Sequence, residues 1–275
     1  MADDIVGAAG WTGWRLDPVT ATALRLELAR KALLDGDPQR CAIEAEEVLD
    51  DEPGHSTALW LLAVSASDLG DVLTAREAWR ELARIEGRAL HHTAFALAAY
   101  ETAQFEDAET AARAALAKDT DQAHAWWVIG RCAERRGAAA EAQDAFLQAH
   151  LRSPHQCIVP LAPPTDGWQP IIDAAFDQID DTTGALWREI GLEVLDFPDE
   201  ALLLDAVPPL PPGLLVFGVP YEGDRYEGDA PDSPAGLRVY VGNLAHAASF
   251  ADAADRLADA LEEEAANWGI HDDEE

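Results

Sequence analysis

The sequence predicts an all-α repeat array followed by a small α+β domain. Three observations carry that reading. A pattern of small and large residues returns every 33 or 34 positions through residues 22–156. The pattern stops at a proline-rich stretch, "CIVPLAPPTDGWQP", residues 157–170. Beyond it, short apolar runs rich in β-branched residues lead into one long amphipathic segment. The chain has 275 residues, enough for two ordinary domains, and its hydrophobic fraction of 48% is that of a globular protein.

The repeat is clearest in residues 123–156, "AHAWWVIGRCAERRGAAAEAQDAFLQAHLRSPHQ". Small residues at Gly130 and Ala142 let two helices approach closely, and large ones at Trp126 and Phe146 fill the space around that contact. Pro154 stops the second helix. Ile129, Ala133, Gly137 and Ala149 complete the spacing. Three weaker copies precede it. Residues 22–55 carry Leu28, Ala29, Ala32, Gly36, Ala45 and Pro53. Residues 56–88 carry Leu59, Leu62, Ala63, Ala66, Gly70, Ala75 and Trp79. Residues 89–122 carry Phe95, Ala96, Ala99, Ala108, Ala112 and Leu116. Four tandem copies of this pattern resemble a tetratricopeptide repeat (TPR) array. A single hairpin cannot bury its apolar face, and stacking supplies a continuous core and a concave groove.

In such repeats the first helix of each pair lines the groove. The register places Leu26, Arg30, Trp60, Val64, Leu97, Tyr100, Trp127, Arg131 and Arg135 there. This is an aromatic and aliphatic floor with a few arginines, suited to a protein or peptide partner. The lysine and asparagine set that clamps chaperone C-termini in related repeats is not recognisable. The competing reading is that the protein's own N-terminus, with Trp11 and Trp14, fills part of the groove.

Residues 157–169 read as a linker or an ordered crossover. After it, "IIDAAFDQIDD" forms a short amphipathic helix, and "GLEVLDFP", "LLVFGVPY" and "LRVYVGNL" read as strands. From Phe250 to Trp268 the pattern is helical. At 100° per residue, Phe250, Ala254, Leu257, Leu261, Ala265 and Trp268 share a face. The resulting division is an N-terminal segment over 1–21, four hairpins over 22–156, a linker over 157–169 and an α+β domain with an acidic tail over 170–275.

This second half resembles the minimal zincin-like metallopeptidases of bacteria, most strongly at "GVPYEG", "VYVGNL" and "WGIHDD". The resemblance implies a zincin-like fold closing on a helix that carries His-Glu-x-x-His. Aligning Trp268-Gly269-Ile270 puts that motif on residues 262–266. The general-base glutamate is matched by Glu263, and the two zinc histidines by Glu262 and Ala266. A third, acidic position matches Asp272. Two histidines four apart grip one zinc from one helix face, and the glutamate then activates the bound water. Alanine cannot ligate, and a lone carboxylate suits calcium or magnesium better than zinc. The resemblance therefore implies a fold kept with its metal site emptied: no catalytic residue, no metal and no cofactor. The alternative is a metal-dependent hydrolase with an unorthodox site from Glu262, His271 and Asp272.

No phosphate-cradling glycine loop, nucleophile elbow or Cys/His cluster offers other chemistry. His91-His92 is a lone pair in a repeat helix. Cys41 and Cys132 fall in alanine-rich helical stretches as small core residues; with Cys157 they are too sparse for a disulfide framework. The formal net charge is −33, with 26 acids against four arginines in residues 157–275. Only Lys31 and Lys118 are lysines, beside 17 arginines. Such a field repels nucleic acid and favours a basic protein at the second domain, although solubility or salt adaptation is the simpler account of the charge. Apolar runs are too short to span a bilayer, and no signal-peptide pattern opens the chain. The expectation is a cytoplasmic, non-catalytic adaptor, with a protein or peptide in the repeat groove.

Overall fold

The computed structural model describes residues 18–206, 208–220 and 234–269. The chain divides into two compact units, 1–85 and 86–275. The first holds α1 (Pro18–Leu34), α2 (Pro38–Asp51), α3 (Ser56–Asp68) and nearly all of α4 (Val72–Glu86). In the second, α5 (Ala89–Glu101), α6 (Phe105–Lys118), α7 (Ala123–Arg135) and α8 (Ala139–Arg152) precede the smaller α+β part. The N-terminal half is thus a tetratricopeptide-like helical array, two pairs of helices in each unit.

One turn geometry closes all four pairs. Gly36, Gly70 and Gly137 sit at φ of 75°, 72° and 72°, where a side chain is strained. Ala103 holds the same position in the third pair at φ 57°. The next residue then donates its N–H five residues back: Asp37 to Ala32 O, Asp71 to Ala66 O, Gln104 to Ala99 O and Ala138 to Ala133 O, at 2.8–2.9 Å. These bonds satisfy carbonyls that a helix end leaves open. Asp37 and Asp71 go on to cap the following helix, accepting from Arg40 N (3.0 Å) and Thr74 N (3.1 Å).

Packing within the pairs follows the small-residue pattern. In the first unit Ala29, Cys41, Ala45, Ala58 and Leu61 are fully buried in one cluster, which α4 joins through Ala78 and Leu82. In the second unit Ala96, Ala99, Ala108, Ala112 and Val128 do the same. Gly130 meets the ring of Phe146, and a Cβ there would lie 2.6 Å from its Cε1.

Residues 157–169 are fixed by contacts at two points. Cys157 is buried, its carbonyl lies 2.9 Å from His150 Nδ1, and Leu161 N–H donates to Ala245 O at 2.7 Å. The division between compact units accordingly falls at 85/86 and not in this stretch.

The α+β part contains α9 (Gln169–Phe176), α10 (Asp181–Ile190), β1 (Leu192–Leu195), α11 (Glu200–Asp205), β2 (Val216–Val219), β3 (Gly236–Tyr240), α12 (Val241–Leu244) and α13 (Phe250–Asn267). The sheet order is β1-β3-β2. β1 runs parallel to β3 in the register Leu192↔Leu237, and β2 runs antiparallel to it in the register Val216↔Val239. Its core gathers Ile172, Trp187, Leu237, Val239, Leu244, Leu257 and Leu261, with α9 and α13 packed together. Trp187 is wholly buried and donates Nε1 to Leu261 O at 3.3 Å, fastening α10 to α13.

"LRVYVGNL" departs from the expected strand. β3 ends at Tyr240, and Val241–Leu244 turn into α12. Gly242 N–H donates to Asp196 O at 2.8 Å, and a Cβ on Gly242 would meet that oxygen at 2.5 Å. The close approach rotates Asn243 inward, where its amide donates to Pro212 O (2.9 Å) and Leu214 O (2.8 Å).

Candidate functional site

The site is built around one arginine of α7. Arg131 is 4% exposed. Its Nε donates to Tyr100 Oη at 3.0 Å, its Nη2 to Asn243 Oδ1 at 2.7 Å, and its Nη1 reaches Glu134 Oε2 at 3.4 Å. The guanidinium also lies 5.5–5.9 Å from the ring centres of Tyr100, Trp127 and Phe197. A buried charge is tolerable only when paired and hydrogen-bonded, and here each arm of the fork is used.

His246 continues the network. Its Nε2 is 2.8 Å from Glu134 Oε2, and its ring meets Phe146 and Trp127 edge-on at 5.2 and 6.5 Å between centres. Burial holds this imidazole below its ordinary pKa. Glu134 pulls the other way, while Arg131 and Arg256 add to the depression. Arg135, one turn along α7, donates to Pro198 O and lies 4.2 Å from the Phe105 ring centre. Burial lowers its pKa as well.

The α+β part is therefore seated on the inner helices of the last two repeat pairs. Of the residues expected to line an open groove, Tyr100 (1% exposed), Arg131 and Arg135 are committed to this joint, and Trp127 and Leu97 are half-buried. α12 and the turn after β1 meet this stretch of the expected groove, through Asn243 on Arg131 and the Pro198 carbonyl on Arg135. Trp11 and Trp14 lie outside the described residues. Within the first unit, Leu26 is core at 8% exposure, Val64 is half-buried, and Trp60 is 39% exposed. Arg30 is exposed and pairs with Glu27 one turn earlier, at 2.6 Å.

Beside the joint lies a cleft of about 690 Å³. Its repeat wall is Tyr100, Glu101, Trp127 and Arg131. Its opposite wall is the face of α13 carrying Arg256, Asp259, Glu263 and Asn267, and Leu214, Leu215 and Val216 form an apolar side. Glu101 is exposed to the water of the cleft, yet the surrounding walls raise its carboxyl pKa, and Arg131 only partly offsets this.

The zincin-matching positions separate across α13. Glu263 lines the cleft, whereas Glu262 and Ala266 are exposed and outside it. Glu264, to which the resemblance gives no role, accepts from Gly218 N (2.7 Å) and Trp268 Nε1 (3.0 Å). That contact ties "GVP" to the end of α13. Asp272 and His271 lie outside the described residues. Among the described residues no three His, Cys, Asp or Glu side chains gather closely enough to hold a metal. Cys41, Cys132 and Cys157 are free and buried, and burial pushes the Cys132 thiol up to about 12.

No family model matches the sequence, and no curated protein does. Solved structures similar to the chain include MamA, at 20% identity over 50% of this chain and 75% of that one, with a TM-score of 0.47. MamA from Desulfovibrio magneticus RS-1 gives 16% identity, coverage of 49% and 76%, and a TM-score of 0.45. YrrB, described as a TPR protein with an unusual peptide-binding site, gives 14%, coverage of 48% and 69%, and 0.43. Among the described residues no helix is long and apolar enough to cross a membrane.

Proposed function

We propose that the protein is a non-catalytic interaction scaffold. Its repeats present a surface to a protein partner, and its second half is a zincin-like fold without a working metal site. The observation that carries this is the arrangement on α13. Glu263, matching the general base, faces the cleft; Glu262 and Ala266, matching the ligands, do not. A zincin needs all three on the cleft side, because the base acts only on a water the metal has polarised. In the first unit Trp60 remains open to a partner, and large aromatics are frequent binding hot spots.

The test is metal content and proteolysis on full-length protein purified without chelator. Sub-stoichiometric zinc and no cleavage of a mixed peptide library are expected. Stoichiometric zinc that disappears in Glu262→Ala, together with chelator-sensitive cleavage, would overturn the proposal in favour of a hydrolase.

A further inference from the structure

The cleft beside the joint has an imbalance that the scaffold reading leaves unexplained. Four carboxylates line it, Glu101 on α5 and Asp259, Glu263 and Glu264 on α13. Glu264 accepts from Gly218 N and Trp268 Nε1, whereas Glu101, Asp259 and Glu263 are exposed to the cleft and none of these three is paired with a cation or receives a hydrogen bond among the described residues. Of the cations in the same cleft, Arg131 is divided among Tyr100, Asn243 and Glu134, and the exposed Arg256 makes one long contact, from Nη1 to the His246 carbonyl at 3.4 Å, with no ion pair to Asp259 or Glu263. Asp259 and Glu263 are four residues apart on one helix, so they stand about 6 Å from each other along its axis. Like charges at that spacing destabilise a helix slightly unless a cation relieves them. The remaining surface is apolar or aromatic: the half-buried Trp127 and the run Leu214–Val216. The volume of about 690 Å³ lies within the roughly 300–1,000 Å³ usual for ligand sites.

We propose that this cleft docks an extended segment of a partner protein that carries lysine or arginine. Its cationic head sits among Glu101, Asp259 and Glu263, and its aliphatic stem or a neighbouring apolar residue lies against Trp127 and Leu214–Val216. Charge complementarity selects this occupant: an acidic segment or a nucleic acid meets three carboxylates without ion-pair partners, and a wholly apolar one covers them without a counter-charge. The cleft walls raise the Glu101 carboxyl and Arg131 offsets this only in part, so a bound cation would bring it further toward its ordinary range. The inference rests on the scaffold reading, since a working peptidase would cleave what it bound there.

The experiment uses full-length protein and three fluorescein-labelled decapeptide pools of matched hydrophobicity: lysine/arginine-bearing, neutral and glutamate-bearing. Anisotropy gives affinity at several salt concentrations, and mass spectrometry of each mixture reads cleavage. The basic pool is expected to bind at least tenfold tighter than the others. The triple variant E101Q/D259N/E263Q should lose at least tenfold of that affinity. The control E189Q/D255N/E262Q removes three exposed charges elsewhere on the same unit and should keep it. Equal losses in both triples would mean that only the net charge of −33 attracts the peptides, and the cleft proposal fails. It fails equally if the neutral pool binds as well as the basic one, or if no pool binds. Intact peptides in those cases leave the scaffold reading standing, whereas cleaved peptides would sink the scaffold reading itself.

Discussion

A Cβ on Gly130 would lie 2.6–2.9 Å from three ring atoms of Phe146, so the closest approach of α7 and α8 requires glycine. Overpacking of this kind costs about 1–3 kcal/mol. Gly130→Ala is therefore expected to lower Tm by roughly 2–10 °C in a unit of this size. Phe146→Leu in the same chain should recover part of the loss, and no recovery would place the damage elsewhere. Ala103 offers the opposite change. It is the non-glycine member of the four turn positions, at φ 57°. A side chain there costs about 1–2 kcal/mol, and glycine returns roughly 0.4–1 kcal/mol of that through the unfolded chain. Ala103 is also fully buried, so glycine gives up about 0.8 kcal/mol of methyl burial, and Ala103→Gly should leave Tm within about 3 °C in a thermal melt. A larger fall would show that the turn is not strained. Gly130, Gly36, Gly70 and Gly137 are readable in the sequence, because a glycine that recurs in register marks either a left-handed turn or a close helix contact. Ala103 is not readable, because alanine appears throughout these helices and nothing local marks one as left-handed.

Among elements, α7 and α12 meet through Arg131, Asn243, Glu134 and His246, and this joint should be sensitive to acid. Burial holds His246 below its ordinary range, so the unfolded chain binds the proton at a higher pH than the folded one. The stabilisation is complete above an unfolded pKa of about 6.5 and is lost as pH falls from there through the depressed folded value. His91 and His92 are depressed in the same way, also first by burial, so the wild-type slope sums several groups. His246→Gln can keep a hydrogen bond to Glu134 while removing the titration. Urea melts between pH 5 and 7.5 should then show a shallower loss of stability toward acid than in wild type. Identical slopes would remove His246 from the joint's pH dependence. Most elements of this half are legible in sequence. The apolar stripe Ala254, Leu257, Leu261 and Ala265 forecasts the buried face of α13, and "GLEVLDFP" and "LLVFGVPY" forecast β1 and β2. α10 escapes, although Asp180 caps it by accepting from Thr183 N at 2.8 Å and Gly191 ends it at φ 89°. Its single wholly buried large side chain, Trp187, gives too thin a stripe for periodicity to register. Arg131 is legible as a groove residue, but the repeat register points it at a foreign ligand. Its partner Asn243 lies 112 positions away, and no local pattern reports such a contact.

For the whole molecule, the decisive matter is where the chain can be cut. The change of periodicity at 157–169 suggests that residues 1–156 stand alone, and the helices of that fragment do close their own turns. Yet ending at 156 removes Asn243, His246, Phe197 and the Pro198 carbonyl at once. Arg131 and Arg135 would keep their positions on α7 without those partners, and Tyr100, Trp127 and Phe146 would lose the cover of α12 and the turn after β1. The lost partners are neutral, the Asn243 amide and the Pro198 carbonyl, and leaving a buried donor unsatisfied costs about 1–3 kcal/mol, although water can now reach these arginines and soften the loss. Residues 1–156 are accordingly expected to be helical by circular dichroism, to bind a hydrophobic dye and to melt at least 5 °C below the full chain. Residues 86–275 keep every contact of the joint and should melt in one cooperative transition without binding the dye. If 1–156 melted as high as the full chain with no dye bound, the joint would contribute little, and Arg131 would be free to serve a foreign partner. If 86–275 gave two transitions, its repeat helices and sheet would be separate folding units joined only by the crossover at 157–169.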